Sequence, residues 1–180
     1  MGTRVLRYMS NRSGSVAIEF ALIAPILLLL FIGVFEVEEA IRADMKVSAA
    51  AQTMAMLVAM QSSVSSTQMT DYCTAAGYVM APFSSGPLQI AVASVTNNAG
   101  VVGQDWSDTT CGNASAIADA TASGSSMVPT ATNSVIVVQA TYRYTGAVNL
   151  VLPSTITMTQ TQFSRPRNTP ATGNATIPHY

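Results

Sequence analysis

From Val16 to Phe35 the chain carries one charge, Glu19, in an apolar run that includes Leu27-Leu28-Leu29-Leu30-Phe31-Ile32. A helix of about 20 residues rises ~30 Å, the thickness of a bilayer's hydrocarbon core, so the run is long enough to cross a membrane. Its flanks carry opposite charge. Arg4, Arg7 and Arg12 precede it without an acid, and Glu36, Glu38 and Glu39 follow it. The positive-inside rule then sets the N-terminus in the cytoplasm and residues from 36 onward outside. Composition agrees: 49% of residues are hydrophobic and 9% charged, where soluble domains run near a quarter charged and disordered chains carry more charge still. A net charge of −1 leaves no basic excess to hold phosphates, which argues against nucleic-acid binding.

Three fates are open to such an N-terminus: a removable secretory signal, an uncleaved anchor, or a leader cut on the cytoplasmic side. An ordinary signal peptide has a shorter apolar region followed promptly by small residues. Here the nearest such site, Val47-Ser48-Ala49, lies well past the run. The third fate draws on Gly14-Ser15-Val16-Ala17-Ile18-Glu19-Phe20, at the junction of the basic leader and the apolar run. A carboxylate deep in a spanning segment costs on the order of 3 kcal/mol and invites a functional explanation. Cleavage after Gly14 would give Ser15 a new α-ammonium at the helix start, with Glu19 one turn away, where the helix dipole also favours an acid. In staggered subunits that carboxylate meets a neighbour's ammonium, and each neutralises a charge that would be costly alone.

These residues resemble the TadE-like pseudopilins (minor pilins) of the tight-adherence (Tad/Flp, type IVc) pilus systems. The matching features are the basic leader 1–14, Gly14 before the cut, Glu19 and Phe20 as fifth and sixth mature residues, and Pro25 within the apolar helix. The resemblance implies cleavage between Gly14 and Ser15 by a membrane-embedded prepilin peptidase, and subunit registry through Glu19. It implies as partners other pilins or pseudopilins, the inner-membrane assembly platform and the lipid bilayer, with no cofactor. The expected location is the bacterial inner membrane, single-pass, with the C-terminal domain in the periplasm and entry into an extracellular pilus open.

The helix itself carries packing signals. Pro25 removes one backbone bond and should bend the helix locally, which membrane helices tolerate. Ala17, Ala21 and Ala24 form a small-residue face that lets helices approach closely in lipid, although an Ala-rich chain can produce the pattern by chance. Beyond the span at 15–35, residues 36–63 continue as helix, with Val37, Ile41, Met45, Ser48, Ala51 and Ala55 as the expected buried face. The acids Glu36, Glu38 and Glu39 read as a solvated helix start.

A Ser/Thr stretch from Ser62 to Thr70 breaks the pattern, and residues 64–164 read as a β-rich domain. Leu88 to Thr96 and Val101 to Trp106 form a hairpin about Asn97-Asn98-Ala99-Gly100. Ser134 to Thr145 is the clearest strand, with Ile136, Val138, Ala140, Tyr142 and Tyr144 alternating along one face. A Thr-rich strand follows from Thr155 to Phe163. The family resemblance extends here, to the aromatic-basic Tyr142-Arg143-Tyr144 and the Thr-rich strand after it. The fold class is α+β: one long N-terminal helix packed on a small antiparallel sheet, pilin-like. Gly112 to Asn133 reads as a surface loop with a short helix at Ala114 to Ala122, and residues 165–180 as a disordered tail.

Cys73 and Cys111 both fall on the side assigned to the periplasm, where a disulfide is the favoured state and two free thiols the alternative. No metal-ligand spacing and no nucleophile motif occurs. His179 lies in the tail, and Asp105, Asp108 and Asp119 sit among turn residues. The sequence therefore points to no enzyme. It leaves a minor pilin-like subunit, with an uncleaved single-span protein presenting a periplasmic disulfide-bonded β-domain as binding module for the alternative.

Overall fold

The computed structural model describes residues 13–128 and 133–167. Helix α1 runs without interruption over Ser13–Ala59. Its first half is rich in Leu, Ile and Ala and its second in Ala, Met and Glu, strong helix formers. Pro25 lies inside it. After α1 come α2 (Ser66–Val79), β1 (Leu88–Asn98), β2 (Val101–Cys111), α3 (Ala120–Ser125), β3 (Ser134–Tyr144) and β4 (Ile156–Ser164). The strands form one antiparallel sheet in the order β2-β1-β3-β4.

Helix α1 is two-faced beyond residue 35. Ala40, Ala43, Val47, Ala50, Ala51, Met54, Ala55 and Val58 are buried against the sheet. Of the expected face, Ala51 and Ala55 are buried and Ser48 is half-buried, whereas Val37, Ile41 and Met45 are exposed; the centre of the buried stripe is turned from the expected one by roughly one residue's rotation, ~100°. Two apolar stripes share this helix, and periodicity alone does not rank them. The alanine stripe wins because its small side chains let the backbone come close to the pleated sheet. Polar groups fix the alignment: Gln160 Nε2 donates to Asp44 Oδ1 at 2.8 Å and Gln162 Nε2 to Ser48 Oγ at 3.1 Å.

The sheet faces this helix with Leu88, Ile90 and Val92 of β1, Ile136, Val138, Ala140, Tyr142 and Tyr144 of β3, and Met158 of β4. The expected alternation of β3 is therefore present. Hairpin β1–β2 turns through Ala99 and Gly100, both at positive φ (53° and 94°), as a two-residue hairpin loop demands. β2 extends past Trp106 to Cys111. Trp106 is half-buried and packs on the helix-side core.

Two expectations for the intervening segments change. Helix α2 stands where strands were expected to take over, and its start is a capping box: Gln68 N–H donates to Ser65 Oγ and Ser65 N–H to Gln68 Oε1. The second change concerns the segment after Gly112, which is more than a surface loop. Ile117, Ala120 and Val128 are buried against Ala91, Ala93, Val95, Val135 and Val137 on the sheet's other face. Its helix is α3 at Ala120–Ser125, later than expected, and a Cβ on Gly124 would stand 3.0–3.1 Å from Val135 and Val95. Covering both sheet faces hides the apolar residues of both alternations.

Candidate functional site

The membrane-competent part of the chain is the first half of α1. From Val16 to Leu30 its side chains are exposed except at half-buried Ala24, and this helix is long and apolar enough to cross a bilayer. Within it Glu19 and Phe20 are exposed, as are Ala17 and Ala21. The bond between Gly14 and Ser15 falls in the first turn of α1. Arg4, Arg7 and Arg12 of the leader, and residues 168–180 of the expected tail with His179, lie outside the described residues.

Where the apolar run ends, one residue ties helix to domain. Glu36 is 4% exposed, and its carboxylate accepts three consecutive backbone N–H groups of the β3–β4 loop: Leu150 at 2.7 Å on Oε1, and Val151 and Leu152 at 2.9 Å each on Oε2. The Leu150 and Leu152 N–H groups lower the Glu36 pKa from its ordinary 4.5; burial pushes it up, and the Val151 N–H lowers it further. A carboxylate so held is ionised and solvated by backbone dipoles in place of water. Sequence reasoning placed Glu36 in a solvated acid cluster. Its neighbours do behave that way: Arg42 pairs with Glu38 and, at 3.6 Å, with Glu39, at the exposed surface.

Beside the Glu36 clamp, Phe35, Glu39, Phe83, Tyr144 and Val148 line an open cleft of about 270 Å³. Phe83 meets Tyr144 edge to face at 6.2 Å, and Tyr142 donates its hydroxyl hydrogen to the Ser84 carbonyl at 3.0 Å. Burial raises the Tyr144 pKa, and the nearby charges of Glu39 and Glu36 add to this. Both phenols therefore stay protonated at neutral pH.

At the domain's other side Cys73 of α2 and Cys111 at the end of β2 form a disulfide, with Cα atoms 5.6 Å apart. The chain leaves it through Gly112 at φ +68°, where a Cβ would stand 2.3 Å from the Leu88 carbonyl oxygen. Of the three acids expected among turn residues, Asp105 accepts the Thr96 hydroxyl at 2.9 Å, Asp108 accepts the N–H and hydroxyl of Thr110, and Asp119 is the residue that precedes α3. Past the sheet, Arg165 donates to the Met127 carbonyl at 3.0 Å, and the Arg167 N–H donates to the Ala59 carbonyl at 2.9 Å. That last bond satisfies a carbonyl left open at the end of α1.

Residues 14–56 match the family of TadE-like proteins, consistent with a TadE-like pilin of Tad pilus systems. The matched segment starts at Gly14 and takes in the apolar run, Glu36 and nearly all of the helix that packs on the sheet. No curated protein and no solved structure matches the chain.

Proposed function

We propose that this chain is a minor pilin-like subunit of a Tad/Flp-type pilus or of its secretion apparatus, cut after Gly14 by a prepilin peptidase and assembled through its N-terminal helix. The observation that carries this reading is the coincidence of the family match at 14–56 with the part of the fold that has an unburied apolar surface. The exposed span is followed by Val37, Ile41 and Met45 on the outward side of α1, while the opposite side is taken by the sheet. A helix with one side committed to its own domain and the other apolar is suited to pack against other helices.

In this reading the precursor enters the inner membrane with its leader in the cytoplasm. Hydrolysis of the Gly14–Ser15 bond removes three arginines and leaves an ammonium on Ser15. Glu19 of one subunit then meets the ammonium of the next, and the low dielectric around the helices makes a mismatched register expensive. Ala17, Ala21 and Ala24 allow close approach of the helices, and Pro25 supplies local give. The periplasmic domain rides on α1, and its disulfide suits that oxidising compartment.

Intact mass and N-terminal sequencing of the protein from its own membranes, with and without a working prepilin peptidase, test the reading. A mature start at Ser15 that requires the peptidase is the expected result. A start near Met1 in both cells would leave the anchored binding module, for which the cleft beside Phe83 and Tyr144 is the natural place. A start near Ala50 would overturn the membrane assignment altogether.

A further inference from the structure

The β3–β4 connection, Thr145-Gly146-Ala147-Val148-Asn149-Leu150-Val151-Leu152-Pro153, contains no charged residue. Its apolar side chains Val148, Leu150 and Val151 are 43%, 57% and 52% exposed. Two contacts fix where this loop sits along α1. Glu36, the first residue past the apolar run, holds the N–H groups of Leu150, Val151 and Leu152. Val151 also lies against Gly33, where a Cβ would come within 3.2 Å of its Cγ2. Gly33 belongs to the apolar run itself, so the loop is pinned at the depth where the helix leaves the hydrocarbon.

We propose that this loop is a second membrane foothold, inserting Val148, Leu150 and Val151 among the acyl chains of the leaflet on the domain's side. The inference rests on reading residues 16–35 as a membrane span. A backbone entering lipid must bring its N–H groups already satisfied, and at the tip of this loop the Glu36 carboxylate satisfies three in a row. With those donors turned inward, the large exposed side chains at the tip are Val148, Leu150 and Val151, and the one polar side chain among them, the uncharged amide of Asn149, belongs at headgroup level. Continuity with the span favours lipid as the occupant over another protein, since the loop meets the bilayer wherever α1 does. Two attachments, the span and the loop, hold the domain in one orientation over the membrane, where a span alone would let it swivel.

Tryptophan fluorescence of the full-length protein in phosphatidylcholine nanodiscs tests this, with Trp106 of the wild type as baseline. Leu150→Trp and Val148→Trp place a probe at the loop, and Leu28→Trp places one in the span. Lipid brominated on the acyl chains should quench all three probes relative to plain lipid, and iodide in the buffer should leave them largely unquenched. Quenching of Leu28→Trp without quenching of either loop probe would overturn the foothold and leave the span intact. Blue-shifted loop emission that brominated lipid does not quench would also overturn it, pointing to a protein contact. Failure to quench Leu28→Trp would remove the span and the foothold together. Wild-type-like thermal unfolding of each variant confirms that the probes report on the native fold.

Discussion

Glu36 Oε1 and the Leu150 N–H meet at 2.7 Å across 114 positions of sequence. The bond joins the end of the apolar run to the loop between the last two strands, and the adjacent N–H groups of Val151 and Leu152 complete the clamp. Glu36→Gln keeps the side chain's size but removes the charge and turns an NH₂ toward an N–H, leaving a buried donor without an acceptor. The expected outcome is a melting temperature lower by several degrees and faster amide exchange at 150–152. Glu38→Gln, at the exposed surface, should change neither by a measurable amount. Hydrogen exchange followed by mass spectrometry on peptides covering the loop makes the comparison.

The same carboxylate sets a pH dependence. Its folded-state pKa lies below the ordinary 4.5, so folding favours the ionised form. Its stabilising contribution is complete above the unfolded value and is lost as pH falls through the folded one. Thermal unfolding of the wild type should therefore weaken below about pH 4.5 more steeply than that of Glu36→Gln. Equal slopes in the two proteins would mean that other carboxylates govern the acid limb.

The two faces of α1 should separate by mutation. Ala51 is fully buried against the sheet, and Ala51→Leu forces three additional carbon atoms into a close helix–sheet approach, an overpacking cost of about 1–3 kcal/mol. Ile41 is 55% exposed, so Ile41→Glu should leave stability within about 0.5 kcal/mol of wild type. It should nonetheless reduce incorporation into filaments or priming complexes. Denaturant unfolding and a pilus-assembly assay on the same two variants give the contrast.

Removing the disulfide tests how much the domain depends on it. Cys73 and Cys111 are 38 positions apart, and opening a loop of that length should lower stability by about 4 kcal/mol in the chain-entropy model. The Cys73→Ser/Cys111→Ser protein should unfold at lower denaturant concentration, and wild type in reductant should approach it. A change confined to the order of α2, with the sheet unaffected, would show local rather than global coupling.

The features legible in the sequence are those written in local pattern. The alternation Ile136-Val138-Ala140-Tyr142-Tyr144, the turn at Ala99-Gly100 and the apolar run each determine their own structure. Helix α2 was equally local, because Ser65 and Gln68 stand at capping-box spacing, but the surrounding Ser/Thr richness obscures the motif. The buried face of α1 is different: Val37-Ile41-Met45 and Ala43-Val47-Ala50-Met54 both have helical spacing, and only the shape of the sheet selects the second. Glu36 lies beyond any local reading, since its partners are backbone groups more than a hundred residues away and leave no trace in side-chain identity.

From Glu36 to Ala59, α1 runs alongside the closing stretch of the chain in the same direction: Glu36 meets Leu152, Asp44 meets Gln160, Ser48 meets Gln162 and Ala59 meets Arg167. Tension drawn along the span therefore reaches the domain in shear, across all of these attachments at once, rather than peeling them apart one after another. Parting the helix from the sheet requires the buried alanine face and the Glu36 clamp to give way together, which makes this junction mechanically stiff to a pull along the axis of α1.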